Sequence, residues 1–260
     1  MDSVVAAAIA EAQETGRPVA ELSLGRIAVR AGMSRSTIFR RIGSRQALED
    51  AIRRTGVDPG SRPGVRDRAI DAAAEVIVAA GVGALTVEEV ARRVGCAVTS
   101  VHTQLGGRDG LLDAVFERHA PLPRVERLIH DEPERFADLT GGVRAIYTVI
   151  MDLTDADVAV LEALFAEALA RPNGAVMRLL RERIVPRIAA TIGGWLATQV
   201  RAGRCADLPL PVLLPLFVSP LSVYVIARRR LVGAGLPVPD RHSVIDTMTE
   251  AFCRAVGART

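Results

Sequence analysis

The sequence contains no lysine; all 33 of its basic residues are arginine. Against 30 acidic residues the formal net charge is only +3, so bulk charge does not announce a nucleic-acid partner and only local clustering can argue for one. Cysteine is scarce and odd in number. Cys96, Cys205 and Cys253 lie far apart without metal-ligand spacing, which leaves no zinc site and favours a reducing cytoplasm over secretion. A basic segment before the first apolar residues is also missing: MDSVVAAAIAEAQETG carries an acid at position 2 and does not read as a signal peptide. There is no phosphate-binding glycine loop, no nucleophile elbow and no catalytic constellation. His119, His130 and His242 stand dispersed, without a paired carboxylate or second ligand at helical spacing. No enzyme, metal site or cofactor is therefore expected.

One absence is local. Between Glu21 and Glu49 there is no acidic residue, and this window holds SRSTIFRRIGSRQAL, with Arg35, Arg40, Arg41 and Arg45. Long alternating β-branched runs are lacking throughout, while apolar residues recur at spacings of three and four, so the fold class is all-α. At 260 residues and 49% hydrophobic content the chain can bury a large core. The segment Leu208 to Ala227 is uncharged over a bilayer-spanning length and precedes Arg228, Arg229 and Arg230. Pro209, Pro211, Pro215 and Pro220 would interrupt the hydrogen bonding of a lone span in lipid, so a buried interface helix is the favoured reading and no membrane partner is expected.

The stretch VDPGSRPG, residues 57–64, reads as a linker between two similar units. A constant offset of 63 residues places Leu22 on Leu85, Ala28 on Ala91, Gly32 on Gly95, Gly43 on Gly106, Arg45 on Arg108 and Leu48 on Leu111, without a gap. Apolar positions follow, with Ile27 on Val90, Ile38 on Val101 and Ile42 on Leu105. Each copy resolves into helix, tight turn, helix. In the second, Thr86 and Glu89 make a capping box; in the first, Ser34 can cap the second helix. That helix points Ile38 and Ile42 inward and presents Arg35, Ser36, Arg40 and Arg41. A helix entering the major groove runs between two rows of phosphates, where arginine is needed and carboxylates are not tolerated. A merely solvated charged face would mix signs, and this one does not.

At these residues the chain resembles the tetracycline-repressor (TetR) family of bacterial transcriptional regulators, whose DNA-binding motif reads T-V-x-x-I-A-x-x-A-G-V-S-x-x-T-L-Y-x-x-F-x-x-K-x-x-L. Residues 23–48, SLGRIAVRAGMSRSTIFRRIGSRQAL, match it, and so do residues 86–111, TVEEVARRVGCAVTSVHTQLGGRDGL, preceded by the helix AIDAAAEVIVAAG. The resemblance implies DNA contacts from Arg35, Ser36, Thr37, Phe39, Arg40, Arg41 and Arg45 in copy one, and from Thr99, Ser100, His102, Thr103, Gln104 and Arg108 in copy two. Phe39 stands where the family usually has a phosphate-touching tyrosine, with His102 at the same place in copy two. Ala97 replaces the usual serine cap. Three arrangements are open: both copies contact DNA, copy one reads while copy two relays motion, or copy two binds while copy one is a lost duplicate.

The expected architecture is two tandem helix-turn-helix units (1–56 and 65–120, linker 57–64) followed by a helical-bundle ligand and dimerisation domain, 121–260. Helices are expected there at about 134–151, 154–171, 174–203 (kinked at Pro186), 211–231 and 240–256. Tyr147, Met151, Phe165, Met177, Trp195 and Phe217 are large residues on Ala- and Leu-rich helices. Each alone reads as core; as a group, the resemblance implies a mainly apolar ligand cavity. It further implies a cytoplasmic homodimer on an operator, probed by a small apolar or amphipathic effector, with repression as the default. The alternative is a ligand-binding or protein-interaction module whose helix-turn-helix units no longer bind DNA.

Overall fold

The computed structural model describes residues 2–16, 18–60 and 63–257, and every element among them is helical. The chain divides into two compact units, Met1–Arg68 and Ala69–Thr260. In the first, α1 (Asp2–Thr15) leads through a 3-10 turn (Val19–Glu21) to α2 (Leu24–Arg30), α3 (Arg35–Ile42) and α4 (Arg45–Arg53). Ser23, Ser34 and Ser44 start the last three helices, each hydroxyl accepting from the backbone N–H three residues on. Val4, Ala8, Ile27, Ile38, Leu48 and Ile52 form the core of this unit.

The second helical set opens with α5 (Val65–Ala80), a 3-10 turn (Val82–Ala84), α6 (Val87–Val94), α7 (Val98–Leu105) and α8 (Arg108–His119). Elements start at residues 2, 19, 24, 35 and 45 and again at 65, 82, 87, 98 and 108, so the 63-residue offset in sequence is also an offset in structure. The buried positions keep the same register: Val19 and Val82, Leu22 and Leu85, Ile27 and Val90, Ile38 and Val101, Leu48 and Leu111. Gly32 and Gly95, at the turn between the paired helices, both have positive φ (63° and 70°), which only glycine adopts without strain.

The chain continues through α9 (Leu122–Asp131), a 3-10 turn (Pro133–Phe136), α10 (Leu139–Met151) and α11 (Asp155–Ala170). The helix expected from 134 to 151 is therefore broken, because Asp138 caps α10 by accepting from Gly141 N–H. The helix expected over 174–203 is found as α12 (Ala175–Leu179), α13 (Val185–Ile188) and α14 (Gly194–Arg201), joined by π-helical turns at Leu180–Ile184 and Ala189–Gly193. Pro186 falls in the first turn of α13, just after the first π turn. A core running from Ala69 to Ile184 joins α5–α8 to α11 and α12, so the boundary expected near residue 120 lies within shared packing.

Two further helices, α15 (Leu210–Gly233) and α16 (Arg241–Val256), complete the unit. Pro215 and Pro220 sit inside α15 without ending it. By length and composition α15 is the one described helix able to cross a membrane. Its Leu213, Phe217, Leu221 and Val225, four residues apart, are buried in a second core with α10 and α16. Val212, Leu216 and Val223 lie along another face and are exposed.

Among the described glycines, the closest approach to neighbouring backbone is at Gly110, where α7 meets α8. A Cβ built on Gly110 would lie 1.5 Å from the carbonyl oxygen of Leu105, whereas the matching place in the first unit is held by Ala47. We expect Gly110→Ala to cost about 1–3 kcal/mol of unfolding free energy and Ala47→Gly no more than about 1 kcal/mol, both read by urea titration.

Candidate DNA interface and the cavity behind it

Helix α3 is held by a compact hydroxyl cluster. Ser34 Oγ accepts from Thr37 N–H at 3.1 Å and lies 2.9 Å from Ser36 Oγ and 2.8 Å from Thr37 Oγ1. With Ile38 and Ile42 buried, the helix turns Ser36, Phe39, Arg40 and Arg41 to the outside. Phe39 is 51% exposed, an apolar ring with no core to fill. Arg40 has no ion-pair partner among the described residues, and Arg41 Nη1 reaches only the Met33 sulfur at 3.8 Å. Thr37 is half-buried, and the side chain of Arg35 lies outside the described residues. The cation-rich face is thus not neutralised from within its own unit. Acid–base pairing is instead concentrated at the other side of α2, where Arg30 and Arg26 hydrogen-bond Glu11 and hold its carboxyl below the usual carboxylate range.

Helix α7 is the counterpart with less charge. Ala97 contributes no capping bond, so the first turn of α7 lacks the side-chain acceptor that α3 has. Thr99, His102, Thr103 and Gln104 are exposed and Ser100 is half-buried. Thr103 donates to the Thr99 carbonyl at 2.9 Å, and the His102 ring lies against Gly107, where an added Cβ would come within 3.3 Å of it. The capping box expected at the start of α6 is half formed. Thr86 accepts from Glu89 N–H, but the Glu89 carboxylate is taken by Arg93 and Arg92, which lower its pKa.

Arg45 and Arg108, expected among the DNA contacts, are each tied to backbone carbonyls of their own helical set. Arg45 donates from Nη1 to the Leu22 carbonyl and from Nη2 to the Val19 carbonyl, each at 2.6 Å. Arg108 donates from Nε to Leu85 and from Nη2 to Val82, each at 2.8 Å. The acceptors are again 63 residues apart. In both copies the guanidinium ties the head of the helix after the candidate reader to the 3-10 turn before it. These bonds fix the orientation of each guanidinium and use part of its five N–H groups.

Of the six residues for which the resemblance implied a ligand cavity, most lie in the core. Tyr147 stacks on Phe217 with centroids 5.2 Å apart and donates to the Phe217 carbonyl at 2.8 Å. Trp195 lies edge-on to Phe136 at 5.8 Å and donates to its carbonyl at 3.1 Å. Their polar atoms are satisfied by backbone, as buried aromatics require, and Gly142 is small because the Trp195 ring lies where its Cβ would be. Met151 is buried in the same core, and Met177 packs against the other one. Of the six, Phe165 lines the cavity described next. That cavity, about 140 Å³, lies between α8, α9, α11, α12, the first π turn and α15. Its walls are medium-sized aliphatics, which no size-based search singles out.

Two polar arrangements beside the cavity were not among the expectations, although Thr154 and Asp157 stand at capping-box spacing in the sequence. The first is Asp157, 5% exposed, at the start of α11. Its Oδ1 lies 2.9 Å from His119 Nδ1 at the end of α8, and its Oδ2 accepts from Arg124 of α9, Thr154 N–H and Thr154 Oγ1 at 3.1, 3.0 and 2.9 Å. Burial works against the charge, but the bonds from Thr154, His119 and Arg124 outweigh it and hold the carboxyl below its usual range. The second is a row of acids on α8. Asp109 pairs with Arg178 at 3.2 Å, Asp113 with Arg183 at 2.6 Å, and Glu117 with Arg187, which also reaches Glu126 at 2.6 Å. The acids are four and four residues apart, the arginines five and four. The extra residue falls within the π turn Leu180–Ile184, whose wider winding keeps the two rows in step.

With this geometry in place, comparison with known proteins is informative. Residues 69–115 match the family model described as bacterial regulatory proteins, tetR family. No curated protein matches the sequence closely enough to count as a relative. Among solved structures, a TetR family transcription regulator from Marinobacter aquaeolei VT8 is 18% identical, with a TM-score of 0.54 over 75% of this chain and 96% of its own. A regulator from Shewanella sp. PV-4 gives 13% and 0.54 over 76% and 100%. The fatty acid degradation regulator FadR from Bacillus halodurans gives 15% and 0.53 over 75% and 97%. At these identities the likeness is one of fold. It spans those proteins almost end to end and leaves about a quarter of this chain without a counterpart.

Two outcomes follow from the site geometry. Arg45→Ala and Arg108→Ala should each lower the unfolding free energy by about 2 kcal/mol, because a charged donor is lost from two carbonyls, whereas Arg40→Ala should change it by less than about 0.5 kcal/mol; chemical denaturation separates them. Because the Asp157 pKa is lower folded than unfolded, its contribution is present above the unfolded carboxylate value and lost as pH falls through the folded one. Asp157→Asn should therefore lower Tm at pH 7, and the gap to the parent protein should close below about pH 4.

Proposed function

We propose that the chain, whose residues 69–115 match the tetR family model, is a ligand-released transcriptional repressor that reads its operator with both helical sets. The observation that carries this reading is α3: a serine-capped helix whose outer face offers Arg40 and Arg41 with no carboxylate among its own residues. Helix α7 supports it in a complementary way, presenting Thr99, His102, Thr103 and Gln104, side chains that read base edges but attract phosphate weakly. In this division of labour copy one supplies most of the phosphate attraction and copy two much of the sequence discrimination. An acid-free arginine face has no purpose in a duplicate that has lost DNA.

The repressor acts in the cytoplasm as a homodimer. The exposed Val212, Leu216 and Val223, four and seven residues apart on one stripe of α15, support pairing through α15 and α16. A palindromic operator then meets four candidate reading helices. The effector enters the cavity behind α8. Filling it favours an arrangement in which α8 is displaced and the reading helices no longer fit their half-sites. Linkage sets the scale: a hundredfold loss of operator affinity is a coupling of about 2.7 kcal/mol, and operator must weaken effector binding by the same factor.

The test is selection of random-sequence DNA on the purified protein, followed by footprinting of the winning site. Protection of four recurring half-elements, with affinity falling steeply as salt rises, is expected. Arg40→Ala and Arg41→Ala should each cost about 1–3 kcal/mol of operator affinity, and Thr99→Ala should relax preference at particular base pairs. A short palindrome insensitive to Arg40 and Arg41 would leave copy two as the only reader.

A further inference from the structure

We propose that the effector is a neutral molecule of about one ring, held by apolar contact and one hydrogen bond to the Ser222 hydroxyl, and that carboxylates and amines are excluded. This inference rests on the reading of the cavity behind α8 as the effector site.

Size is the first argument. The cavity measures about 140 Å³, close to the roughly 150 Å³ engineered void that admits benzene. A guest held wholly inside that space is about one ring, and a long acyl chain would have to extend beyond it. Composition is the second. Phe116 from α8, Leu122 from α9, Leu164 from α11, Leu179 from α12 and Val218 from α15 typify the wall, and of all lining residues only Ser222 carries a polar side-chain group. Ser222 is half-buried and its hydroxyl has no hydrogen-bond partner among the described residues, so it is free to meet a ligand. A ligand with one donor or acceptor satisfies that group and leaves no second polar atom stranded.

Charge is the third argument, and it comes from the neighbours of the wall. Asp157 directly precedes the lining residue Val158, but its two oxygens are already shared among His119, Arg124 and Thr154. The Arg124 guanidinium is in turn committed to Asp157. The Asp157 carboxylate and the Arg124 guanidinium are thus each already paired among the described residues, while His119, bound to Asp157 through Nδ1, keeps a buried Nε2 without a partner. An anionic ligand would shed its water without finding a counter-charge, and a cationic one likewise, a penalty that exceeds what one ring can gain by burial. The site therefore selects by charge through what it withholds, and by Ser222 through what it offers.

The experiment is calorimetric titration of the full-length protein, without DNA, with four probes of nearly equal shape: toluene, benzyl alcohol, benzoate and benzylamine. Toluene and benzyl alcohol should bind, and the two ions should bind at least about thirtyfold more weakly. In Ser222→Ala, benzyl alcohol should lose about fivefold in affinity, as for one neutral hydrogen bond, while toluene is unchanged; toluene thereby reports that the cavity is intact. Benzoate or benzylamine binding as well as the neutral probes would overturn the inference. So would decanoate binding more tightly than benzyl alcohol, failure of all four probes, or a Ser222→Ala effect equal on both neutral probes. A protein that binds benzyl alcohol yet keeps its operator affinity unchanged retains this ligand class and loses the release mechanism instead.

Discussion

The second unit is organised around a cation placed where a helix least favours one. Arg108 opens α8, at the positive end of the helix dipole, and the cost of that position is offset by the Val82 and Leu85 carbonyls that its guanidinium binds. Those carbonyls belong to the 3-10 turn between α5 and α6. One side chain thus closes the loop from the third helix back to the join of the first two. Arg45 does the same in the first unit, with Glu49 one turn on as a further partner at 3.2 Å. The position is best understood as the clasp of a three-helix module, and its presence in both copies shows that the two modules fold by the same logic.

What α8 does after its first turn differs from α4. Its outer side carries Asp109, Asp113 and Glu117 to the arginines of α12, the first π turn and α13, its end brings His119 to Asp157, and Phe116 faces the cavity. Each exposed ion pair alone contributes little to stability. Set in register along two helices, they fix azimuth instead. The π turn matters here because an unbroken α-helix would carry Arg183 and Arg187 about 100° out of phase with their acids.

Much of this was legible in the sequence. The 63-residue offset needed no gap, so turn glycines and buried positions could be paired from the sequence, and Ser34 was legible as the cap that begins α3. The legible part was local: turn chemistry and periodicity act within a few residues. What was not legible was long-range. Whether Arg45 faces phosphate or a carbonyl 23 residues away depends on where the 3-10 turn lies in space. Tyr147, Trp195 and Phe217 stood out by size, yet large rings fill cores, and the cavity is lined by leucines and isoleucines that look alike in any helix. The two π turns left no mark beyond Pro186, and the broken helix before α10 was hidden because Asp138 looked like one more polar residue on a helical face.

The missing side chain at Gly110 has a mechanical meaning. With the Leu105 carbonyl seated against its backbone, the last turn of α7 and the first turn of α8 cannot hinge independently, and the pair behaves as a bell-crank pivoted at that contact. Helix α8 has 12 residues, an arm of about 18 Å, so a tilt of about 10° at the pivot sweeps its far end through about 3 Å. The first unit has Ala47 at the matching position and so lacks this close approach.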